Sequence, residues 1–525
     1  MDTFARDRLP PKDQWPRLHF DLPELHYPAR LNCATVLLDD AIAEGHGERP
    51  AILTDAGTVS YRELLARANR IANVLVGAGV VPGNRVLLRG YNGPELYAAW
   101  LAVMKTGAIA VTTMPMLRAA ELTAIIGKSK PAFALSDQRL ADELNPVAVA
   151  GGVATVITWG GGDLEARMAA ASDRFTNADT ASDDVCLLAF TSGTTGQPKA
   201  CMHFHRDVLA MADVVARHLL HTEPADIYAG SPPLGFTFGL GALLVFPLRF
   251  RAATVPIEAP APATVLAAIE KHRVTCLFTA PFAYRALAAE CAGRDLSSLR
   301  RCVSAGEFLP KAVSDLWFGK TGIRIIDGIG ATEMIHIFIA AEGEDIRPGS
   351  TGKPLPGYRA CLLDEDGEVM LPGATGRLAV TGPTGCRYLD DERQRDYVQN
   401  GWNVTGDLYR LDEDGYFWFV ARADDMIVSA GYNIAGPEVE WALLAHPAVR
   451  ECAVVGAADP QRGMVVKACV VLAPGRAGDI ALIKELQDFV KQRIAPYKYP
   501  RVIEFLDVLP KTATGKLSRK SLREA

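Results

Sequence analysis

Short apolar runs alternate with amphipathic helical segments in the first part of the chain. The runs Ala51-Ile-Leu-Thr54, Arg85-Val-Leu-Leu88 and Ala108-Ile-Ala-Val-Thr112 are separated by stretches with helical spacing of apolar residues. Because parallel strands need long crossover connections, this alternation predicts a largely parallel sheet with helices on both faces. A second cycle of the same kind runs from residue 121 to residue 157.

The helix after the first of these runs has sequence signals at both ends. Ser60-Tyr-Arg-Glu63 is a capping box, in which a serine and a glutamate satisfy free backbone donors at a helix start. The apolar face that follows extends from Leu64 to Leu75. Gly77 and Gly79 predict its end, since glycine tolerates the left-handed conformation that closes many helices.

Three other regions depart from this alternation. Residues 1–50 contain many prolines and aromatic residues and little periodicity, so we expect an extended segment wrapped on the surface. After Gly352, glycine and proline become frequent and short alternating strands appear, which predicts a β-rich subdomain. Beyond Arg422 a stretch of about a hundred residues has the size of a small α/β domain.

Composition excludes several classes of partner and location. A chain of 525 residues is too long for one hydrophobic core, so two or more domains are expected. The net charge is −6 without a basic run, so no nucleic-acid partner is expected. No apolar run is long enough to span a bilayer and the first residues are polar, so neither membrane nor signal peptide is expected. The ten dispersed cysteines predict reduced thiols in a cytoplasmic protein.

One stretch, Thr191-Ser-Gly-Thr-Thr-Gly-Gln-Pro-Lys199, is rich in glycines, hydroxyls and backbone donors and ends in a lysine. It follows the apolar run Val185-Cys-Leu-Leu-Ala-Phe190, which predicts a buried strand. Glycines let a backbone approach a phosphate closely, and successive N–H groups form a nest for anions. A Walker A loop requires Gly-Lys-Ser/Thr at its end, which is absent here. The stretch therefore predicts a different phosphate loop; the alternative is a solvated turn.

The histidines and nucleophiles show no strong local pattern. His203 and His205 alternate, but no third metal ligand is nearby in the sequence, so a structural metal site is not expected. Neither a Ser-His-Asp nor a Cys-His arrangement stands out.

Six stretches, in order, resemble motifs of the adenylate-forming superfamily, which includes acyl-CoA ligases, firefly luciferase and peptide-synthetase adenylation domains. Three positions depart from the usual pattern: Ala200 replaces a glycine, Ile329 replaces an aromatic residue, and Val428 replaces a lysine. The six stretches are residues 191–199, Ser304-Ala-Gly-Glu307, Asp327-Gly-Ile-Gly-Ala-Thr-Glu-Met334, Gly401-Trp-Asn-Val-Thr-Gly-Asp-Leu408, Ala421-Arg-Ala-Asp-Asp-Met-Ile-Val-Ser-Ala-Gly431 and Leu509-Pro-Lys-Thr-Ala-Thr-Gly-Lys516.

This resemblance implies a role for each matching residue. Lys516, Thr332 and Glu333 would be catalytic, and Glu333 would hold Mg²⁺, which takes few protein carboxylates. Asp407 would grip both ribose hydroxyls, a task that suits a carboxylate acceptor. The ATP-binding residues implied are Thr191, Ser192, Gly193, Thr194, Thr195, Gly196, Lys199, Ala305, Gly306, Glu307, Asp327, Gly328, Ile329, Asp407 and Arg422.

The resemblance also implies a division of the chain and a moving part. Residues 1–423 would form the large adenylation domain, and residues 424–525 a small mobile domain that carries Lys516. Asp424 would be the hinge between them, and Gly431 would line the approach of the thiol. The expected fold class is thus α/β, with α/β sheets and a β-rich subdomain in the large N-terminal domain and a small C-terminal α/β domain.

Three segments narrow the resemblance to ligases of aromatic acids. Residues 328–338 and Leu234-Gly-Phe-Thr-Phe-Gly-Leu-Gly241 are similar to benzoate–CoA ligases, and the first 33 residues are similar to 2-aminobenzoate–CoA ligases. Aromatic and apolar walls with a few polar groups suit a flat ring. The alternative for the two phenylalanines is an ordinary core. The acid pocket implied consists of Phe236, Thr237, Phe238, Gly330, His336 and Ile337.

The function implied is an ATP-dependent ligase that activates benzoate or 2-aminobenzoate as an acyl-adenylate and then forms the CoA thioester. Its partners would be a small aromatic carboxylic acid, ATP with Mg²⁺, and CoA, and the protein would be a monomer or homodimer. Three alternatives stay open: an enzyme that loads a carrier-protein thiol, a medium-chain acyl-CoA ligase, and an inactive nucleotide sensor.

Overall fold

The computed structural model of the protein describes residues 1–191, 198–429, 432–459, 463–512 and 516–524. The chain forms two compact units. The first unit consists of Met1–Leu309, Val313–Ala360 and Val380–Asn403, and the second of Pro310–Ala312, Cys361–Ala379 and Val404–Ala525.

The strands and helices are numbered along the chain within these described ranges. The strands are β1 Pro50–Thr54, β2 Gly57–Ser60, β3 Arg85–Arg89, β4 Ile109–Thr113, β5 Phe133–Asp137, β6 Thr155–Trp159, β7 Val185–Thr191, β8 Lys199–Phe204, β9 Ile227–Gly230, β10 Ala253–Val255, β11 Cys276–Thr279, β12 Arg301–Ala305, β13 Ile325–Gly330, β14 Ile337–Ala340, β15 Lys353–Pro354, β16 Arg359–Leu363, β17 Thr375–Thr381, β18 Val398–Gln399, β19 Trp402–Leu411, β20 Phe417–Arg422, β21 Ile427–Ser429, β22 Tyr432–Ile434, β23 Val449–Asp459, β24 Gly463–Leu472 and β25 Val502–Phe505.

The helices alternate with these strands through most of the chain. The α-helices are α1 Asp40–Ala43, α2 Tyr61–Gly77, α3 Pro94–Lys105, α4 Ala119–Ser129, α5 Ala141–Ala150, α6 Leu164–Ala169, α7 His205–Met211, α8 Thr237–Leu240, α9 Phe246–Arg249, α10 Pro262–His272, α11 Pro281–Glu290, α12 Lys311–Thr321, α13 Gln394–Tyr397, α14 Gly436–Leu444, α15 Ile480–Arg493 and α16 Arg519–Glu524. Further helical segments are contiguous with these helices: Thr35–Asp39 leads into α1, Ala212–Leu219 follows α7, and Gly241–Val245 joins α8 to α9.

A six-stranded sheet in the first unit has the order β6-β5-β3-β4-β7-β8. Strands β3 to β6 pair in parallel, and β7 joins β4 in parallel. The predicted parallel, helix-covered sheet is thus confirmed for this part of the chain. Every residue of β3 is buried, as expected when helices cover both faces.

The run at 51–54 lies in a different sheet from the other two runs. It forms β1 of a nine-stranded sheet, β15-β14-β13-β12-β11-β9-β10-β1-β2, where it pairs in parallel with β10 and antiparallel with β2. The alternation predicted each strand correctly but not its sheet, because strand partners here lie far apart in sequence. The capping box of α2 is confirmed, since Ser60 and Glu63 satisfy each other's backbone donors.

The prediction for residues 1–50 is wrong in part. Turns of 3-10 helix occur in the first 25 residues, but a continuous helix then runs from Thr35 to Ala43. Leu37, Leu38 and Ala41 on this helix are completely buried. Their spacing of one, three and four residues makes an apolar helical face that packs into the core instead of extending over the surface.

The region after Gly352 is β-rich, as predicted. Strands β16 to β20 form a five-stranded sheet in which β19 pairs with both β18 and β20. The C-terminal part contains a second five-stranded sheet, β22-β21-β24-β23 with β25 beside β24, and helices α14 and α15 contribute to its core. Within the described ranges, no helix has the length and apolarity needed to cross a membrane.

Candidate active site

Two of the matched stretches meet at the ends of neighbouring strands in the nine-stranded sheet. Strands β12 and β13 are parallel, with Ser304 opposite Asp327 and Ala305 opposite Gly328. Gly306, just past β12, has φ +90°, a conformation that favours glycine. The fold therefore brings residues 305–307, with Glu307, beside residues 327–329 at the carboxyl edge of the sheet, where parallel α/β sheets commonly bind ligands.

A tight turn at residues 332–334 carries the Thr-Glu pair. Glu333 is 7% exposed, and the chain then reverses at Ile335, which has φ +66°. A β-branched residue rarely adopts a positive φ, so this turn stores backbone strain. The strained turn leads directly from Glu333 to His336, and both side chains are buried.

Lys199, the lysine of the predicted phosphate loop, lies on strand β8. Strands β7 and β8 form an antiparallel hairpin in which Thr191 is opposite Lys199. The predicted ligands Ser192, Gly193, Thr194, Thr195 and Gly196 lie outside the described residues. The hairpin nevertheless fixes both ends of the loop, so that Lys199 stands at its exit.

Lys199 and Glu333 are joined through the hydroxyl of Tyr388. Lys199 Nζ donates to the Tyr388 hydroxyl at 2.7 Å, and the hydroxyl donates in turn to Glu333 Oε1. The direct distance from Lys199 Nζ to Glu333 Oε1 is 3.4 Å. Tyr388 is not among the residues predicted from the sequence, because it lies 55 residues after Glu333 and 189 after Lys199 and has no local motif of its own.

A buried polar group lies behind the Thr-Glu turn. His203 Nε2 donates to the main-chain carbonyl of Thr332 at 2.8 Å. Burial lowers the pKa of His203 to about 4, so its ring is neutral near pH 7. His203 Nδ1 lies 3.9 Å from Asp207, whose carboxylate forms a fully buried ion pair with Arg387. His203 thus anchors the backbone that positions Glu333, and no motif in the sequence indicates this role.

The acid-pocket prediction concerns an aromatic cluster around His336. The His336 ring lies 4.6 Å from the Phe246 ring and 5.6 Å from the Phe238 ring, between centroids. Phe278 packs against Phe238 at 5.5 Å. A Cβ on Gly241 would stand 2.5 Å from His336 Cδ2, so only glycine leaves room for the ring here.

The His336 ring is neutral and one of its nitrogens has no partner among the described residues. Its Nε2 donates to the carbonyl of Phe238 at 3.4 Å, which leaves Nδ1 as a buried acceptor without a hydrogen bond. Burial lowers the pKa of His336 to about 3. An unsatisfied buried acceptor is costly, and a bound ligand can supply the missing donor.

The other four predicted pocket residues lie close by in the chain. Thr237 opens α8 beside Phe238, and Phe236 caps that helix. Ile337, which follows His336, is buried against Gly328, where a Cβ would meet its side chain at 2.7 Å. Gly330 ends β13 and is exposed.

Two predicted nucleotide ligands in the second unit are cross-strand neighbours. Asp407 on β19 is opposite Arg422 on β20, and Arg422 Nη1 lies 3.3 Å from Asp407 Oδ1. Asp407 is 9% exposed, whereas the side chain of Arg422 is 46% exposed. The pair presents a carboxylate and a guanidinium on adjacent strands.

The hinge and C-terminal predictions fall on one part of the second unit. Gly431 lies outside the described residues, and Asp424 lies in the turn Ala423–Asp425. Its neighbour Asp425 forms ion pairs with Arg519 and Arg523. Arg519 follows Lys516 by three residues, and Lys516 accepts a backbone hydrogen bond from Thr512 at 2.6 Å.

A cluster of soft donors that was not expected occurs near the open end of the β7–β8 hairpin. Cys33, Cys186 and His205 are buried, and their donor atoms lie within 4.8 Å of one another. His205 Nδ1 already accepts the backbone N–H of Cys33 at 3.2 Å. Because that contact uses the one lone pair of Nδ1, we interpret the cluster as a packed thiol–imidazole contact.

Comparison with known proteins agrees with this architecture. Residues 39–387 match the AMP-binding enzyme family, and residues 438–516 match the AMP-binding enzyme C-terminal domain. Benzoate–CoA ligase of Thauera aromatica is 36% identical over 516 residues, covering 96% of this chain and 98% of that protein. Mitochondrial acyl-coenzyme A synthetase ACSM3 of Mus musculus is 35% identical over 485 residues, covering 89% of this chain and 84% of that one.

A solved structure is similar over nearly the whole chain. The crystal structure of the anthranilate CoA ligase AuaEII in complex with anthranoyl-AMP superposes with a TM-score of 0.91 at 34% identity, covering 96% of this chain and 98% of that chain. The fold, with a large N-terminal and a small C-terminal domain, is that of adenylate-forming enzymes. The chain belongs to the AMP-binding, adenylate-forming enzyme family, close to benzoate– and anthranilate–CoA ligases, and is an AMP-forming acid–CoA ligase.

Proposed function

We propose that this ligase activates a small aromatic acid, benzoate or 2-aminobenzoate, and transfers the acyl group to CoA with release of AMP and pyrophosphate. The observation that carries the proposal is the neutral, buried ring of His336 among Phe238 and Phe246, with an acceptor nitrogen that lacks a partner. Flat aromatic walls suit a benzene ring, and one polar atom can orient it.

The unpartnered nitrogen favours 2-aminobenzoate over benzoate. An ortho amino group can direct one N–H to the neighbouring carboxylate and still has a second N–H to donate. His336 Nδ1 is an acceptor because Nε2 carries the proton that it donates to the Phe238 carbonyl. A buried acceptor that meets its donor only in the correct substrate discriminates against analogues that lack the donor.

The first half-reaction brings two anions together, since a carboxylate attacks the α-phosphate of ATP. Two unit charges about 4 Å apart repel by about 1 kcal/mol in water and about 4 kcal/mol at an effective dielectric near 20. In the proposed mechanism Lys199 and Lys516 supply positive charge to the phosphates, and Thr332 donates to the α-phosphate. No protein nucleophile takes part, because the carboxylate of the substrate attacks directly.

The surroundings of Glu333 fit a magnesium ion. Tyr388 and Lys199 both approach the same carboxylate oxygen, Oε1, and within the described ranges no hydrogen bond goes to Oε2. Mg²⁺ is commonly held by one or two carboxylates, with phosphate oxygens and water in its other positions. When bound, the ion would neutralise charge on the leaving pyrophosphate. Glu333 is the residue that would hold it.

Asp327 and Asp407 are the two carboxylates that would bind the nucleotide. Asp327 Oδ1 is buried and has no hydrogen-bond partner among the described residues, as expected of a group that awaits a ligand. Asp407 would accept the two ribose hydroxyls, with Arg422 beside it. We further propose that residues 424–525 rotate about Asp424 between the two half-reactions, which would bring Lys516 in and then withdraw it as the thiol enters.

The experiment that tests this function compares pyrophosphate release with ATP and Mg²⁺ for several acids, with and without CoA. The informative pair is 2-aminobenzoate and 2-methylbenzoate, which have similar shape but differ in the ortho donor. We expect kcat/KM for 2-aminobenzoate to be higher than that for 2-methylbenzoate by about 10-fold or more. In the variant His336→Phe, which keeps a ring but loses the acceptor, this ratio should fall towards one.

Each alternative has its own outcome in the same assay. Strong pyrophosphate release with hexanoate and weak release with benzoates would indicate a medium-chain acyl-CoA ligase. The mouse relative is named as an acyl-coenzyme A synthetase. Turnover with a phosphopantetheinylated carrier protein in place of CoA would indicate carrier loading. ATP binding without pyrophosphate release for any acid would indicate a nucleotide sensor.

The cellular setting and assembly remain predictions. All ten cysteines are free thiols, which agrees with the reducing conditions of a cytoplasm. A monomer or homodimer is expected, and sedimentation velocity at two protein concentrations would distinguish them.

A further inference from the structure

The hydroxyl of Tyr388 bridges the ammonium group of Lys199 and the carboxylate of Glu333. Its hydroxyl accepts from Lys199 Nζ at 2.7 Å and donates to Glu333 Oε1. The ammonium group also lies 4.7 Å from the centre of the Tyr388 ring, within the range of a cation–π contact. One phenol therefore contacts both groups that the proposed reaction needs near the phosphates.

The backbone around Tyr388 is fixed to the strand that carries Lys199. Met202 N donates to the carbonyl of Arg387 at 2.7 Å, and Leu389 N donates to the carbonyl of Ala200 at 2.9 Å. The Tyr388 N–H donates to the side chain of Gln394 at 2.8 Å. Because these contacts flank Tyr388 on both sides, its ring has a defined position relative to β8.

The direction of the two hydrogen bonds is also defined. A tyrosine phenol is protonated near neutral pH, because its ordinary pKa is about 10. A protonated phenol has one hydrogen to donate, and a carboxylate can only accept. The ammonium group of Lys199 has no acceptor atom. It must therefore donate to the phenol oxygen, and the phenol must donate to the carboxylate.

We propose that Tyr388 is a positioning residue that fixes Glu333 through Oε1 and so leaves Oε2 to face a divalent cation, while it holds Lys199 in reserve for the phosphates. This role rests on the function proposed above. As a nucleotide enters, Lys199 exchanges the phenol for phosphate oxygens, and Tyr388 continues to hold the carboxylate. A hydrogen bond to the second oxygen of a metal-binding carboxylate orients it and tunes its affinity.

Removal of the hydroxyl would change the competition at Glu333. Lys199 Nζ is already 3.4 Å from Oε1, so without the intervening hydroxyl the two can close into a direct ion pair. A magnesium ion would then have to displace an ammonium group from a carboxylate that is no longer oriented. Tyr388→Phe should therefore weaken the response to Mg²⁺ and leave binding of the aromatic acid unchanged.

The test is calorimetric titration of ATP into the acid-free protein at several Mg²⁺ concentrations. In Tyr388→Phe we expect the Mg²⁺ concentration for half-maximal ATP binding to rise about 10-fold. Steady-state assays should show the same shift in Mg²⁺ dependence and an unchanged KM for the acid at saturating MgATP. A merely structural tyrosine would not separate these two quantities.

The matched control is Tyr284→Phe, which removes another fully buried tyrosine hydroxyl. That hydroxyl lies within hydrogen-bond distance of the carbonyls of Leu277 and Val303, at 3.1 and 3.0 Å, and can donate its one hydrogen to either of them. We expect this control to keep the wild-type Mg²⁺ dependence. If Tyr388→Phe also keeps it, the positioning role is wrong. If the wild-type protein itself binds no MgATP, the proposed function is wrong, independently of Tyr388.

Discussion

Asp407 and Arg422 stand opposite each other on two antiparallel strands, with Arg422 Nη1 3.3 Å from Asp407 Oδ1. They are fifteen positions apart in the sequence, and the hairpin of β19 and β20 brings them together. The guanidinium is 46% exposed, so this ion pair contributes less than about 1 kcal/mol to stability. We infer that the pair serves the ligand more than the fold.

Asp407→Asn should therefore weaken ATP binding with little effect on folding. A charged acceptor contributes about 1.5–3 kcal/mol to a hydrogen bond, which corresponds to a rise of about 10- to 100-fold in KM for ATP. Thermal unfolding should stay within a few degrees of the wild type. An unchanged KM for ATP together with a large loss of thermal stability would contradict the ribose role and indicate a structural one.

Lys516→Ala should separate the two half-reactions. If Lys516 approaches the reacting carboxylate and ATP only during adenylation, its loss should reduce pyrophosphate release by about 100-fold or more. Conversion of chemically supplied aryl-adenylate and CoA to the thioester should be largely unaffected. Lys520→Ala, an exposed lysine on α16, changes the charge equally and should preserve both steps. Equal loss of both half-reactions in Lys516→Ala would exclude a role limited to adenylation.

Gly241→Ala should impair the acid pocket while ATP binding is retained. The new Cβ would lie 2.5 Å from His336 Cδ2 and 3.0 Å from Phe246 Cζ, so the imidazole must shift. We expect KM for 2-aminobenzoate to rise about 10-fold, and overpacking to cost about 1–3 kcal/mol of stability.

Gly127→Ala on α4 is the control for that substitution. A Cβ there meets nothing within 4 Å, and alanine in a helix is expected to stabilise by about 0.4–1 kcal/mol. If both alanine variants have the same KM for the acid, His336 does not contribute to the pocket.

His203 should make the stability of the first unit depend on pH. Its pKa is about 4 in the folded protein because of burial, compared with 6.5 for a free imidazole. The unfolded chain thus binds more protons between these values, so the stability that is present above about pH 6.5 is lost as the pH falls towards 4. The loss from this one group is on the order of 3 kcal/mol over the whole interval.

The variant His203→Gln can still donate to the Thr332 carbonyl but does not titrate. Urea unfolding at pH 7.5 and pH 5 should show a smaller loss of stability for His203→Gln than for the wild type. The difference isolates His203 from the other buried histidines, which are the same in both proteins. Equal losses in the two proteins would mean that His203 does not titrate on unfolding.

Local sequence signals determined many of the elements and the family. The capping box at Ser60 and Glu63 forms as predicted, since both residues act within one helical turn. The alternation of apolar runs and amphipathic segments predicted the parallel sheet of β3 to β6, because burial on both faces leaves a continuous apolar pattern. The ordered motifs identified the family, because each is a short backbone conformation with fixed residue types.

Only the tertiary structure decided which distant groups meet. The run at Ala51–Thr54 has the pattern of β3 but joins another sheet, since a strand's partners depend on packing between segments about 200 residues apart. Tyr388 reaches both Lys199 and Glu333, and Gly241 makes room for His336, through contacts between separate elements. The pattern of apolar residues in a strand or helix indicates which face must be buried. Which other element covers that face is decided only when all the elements pack together.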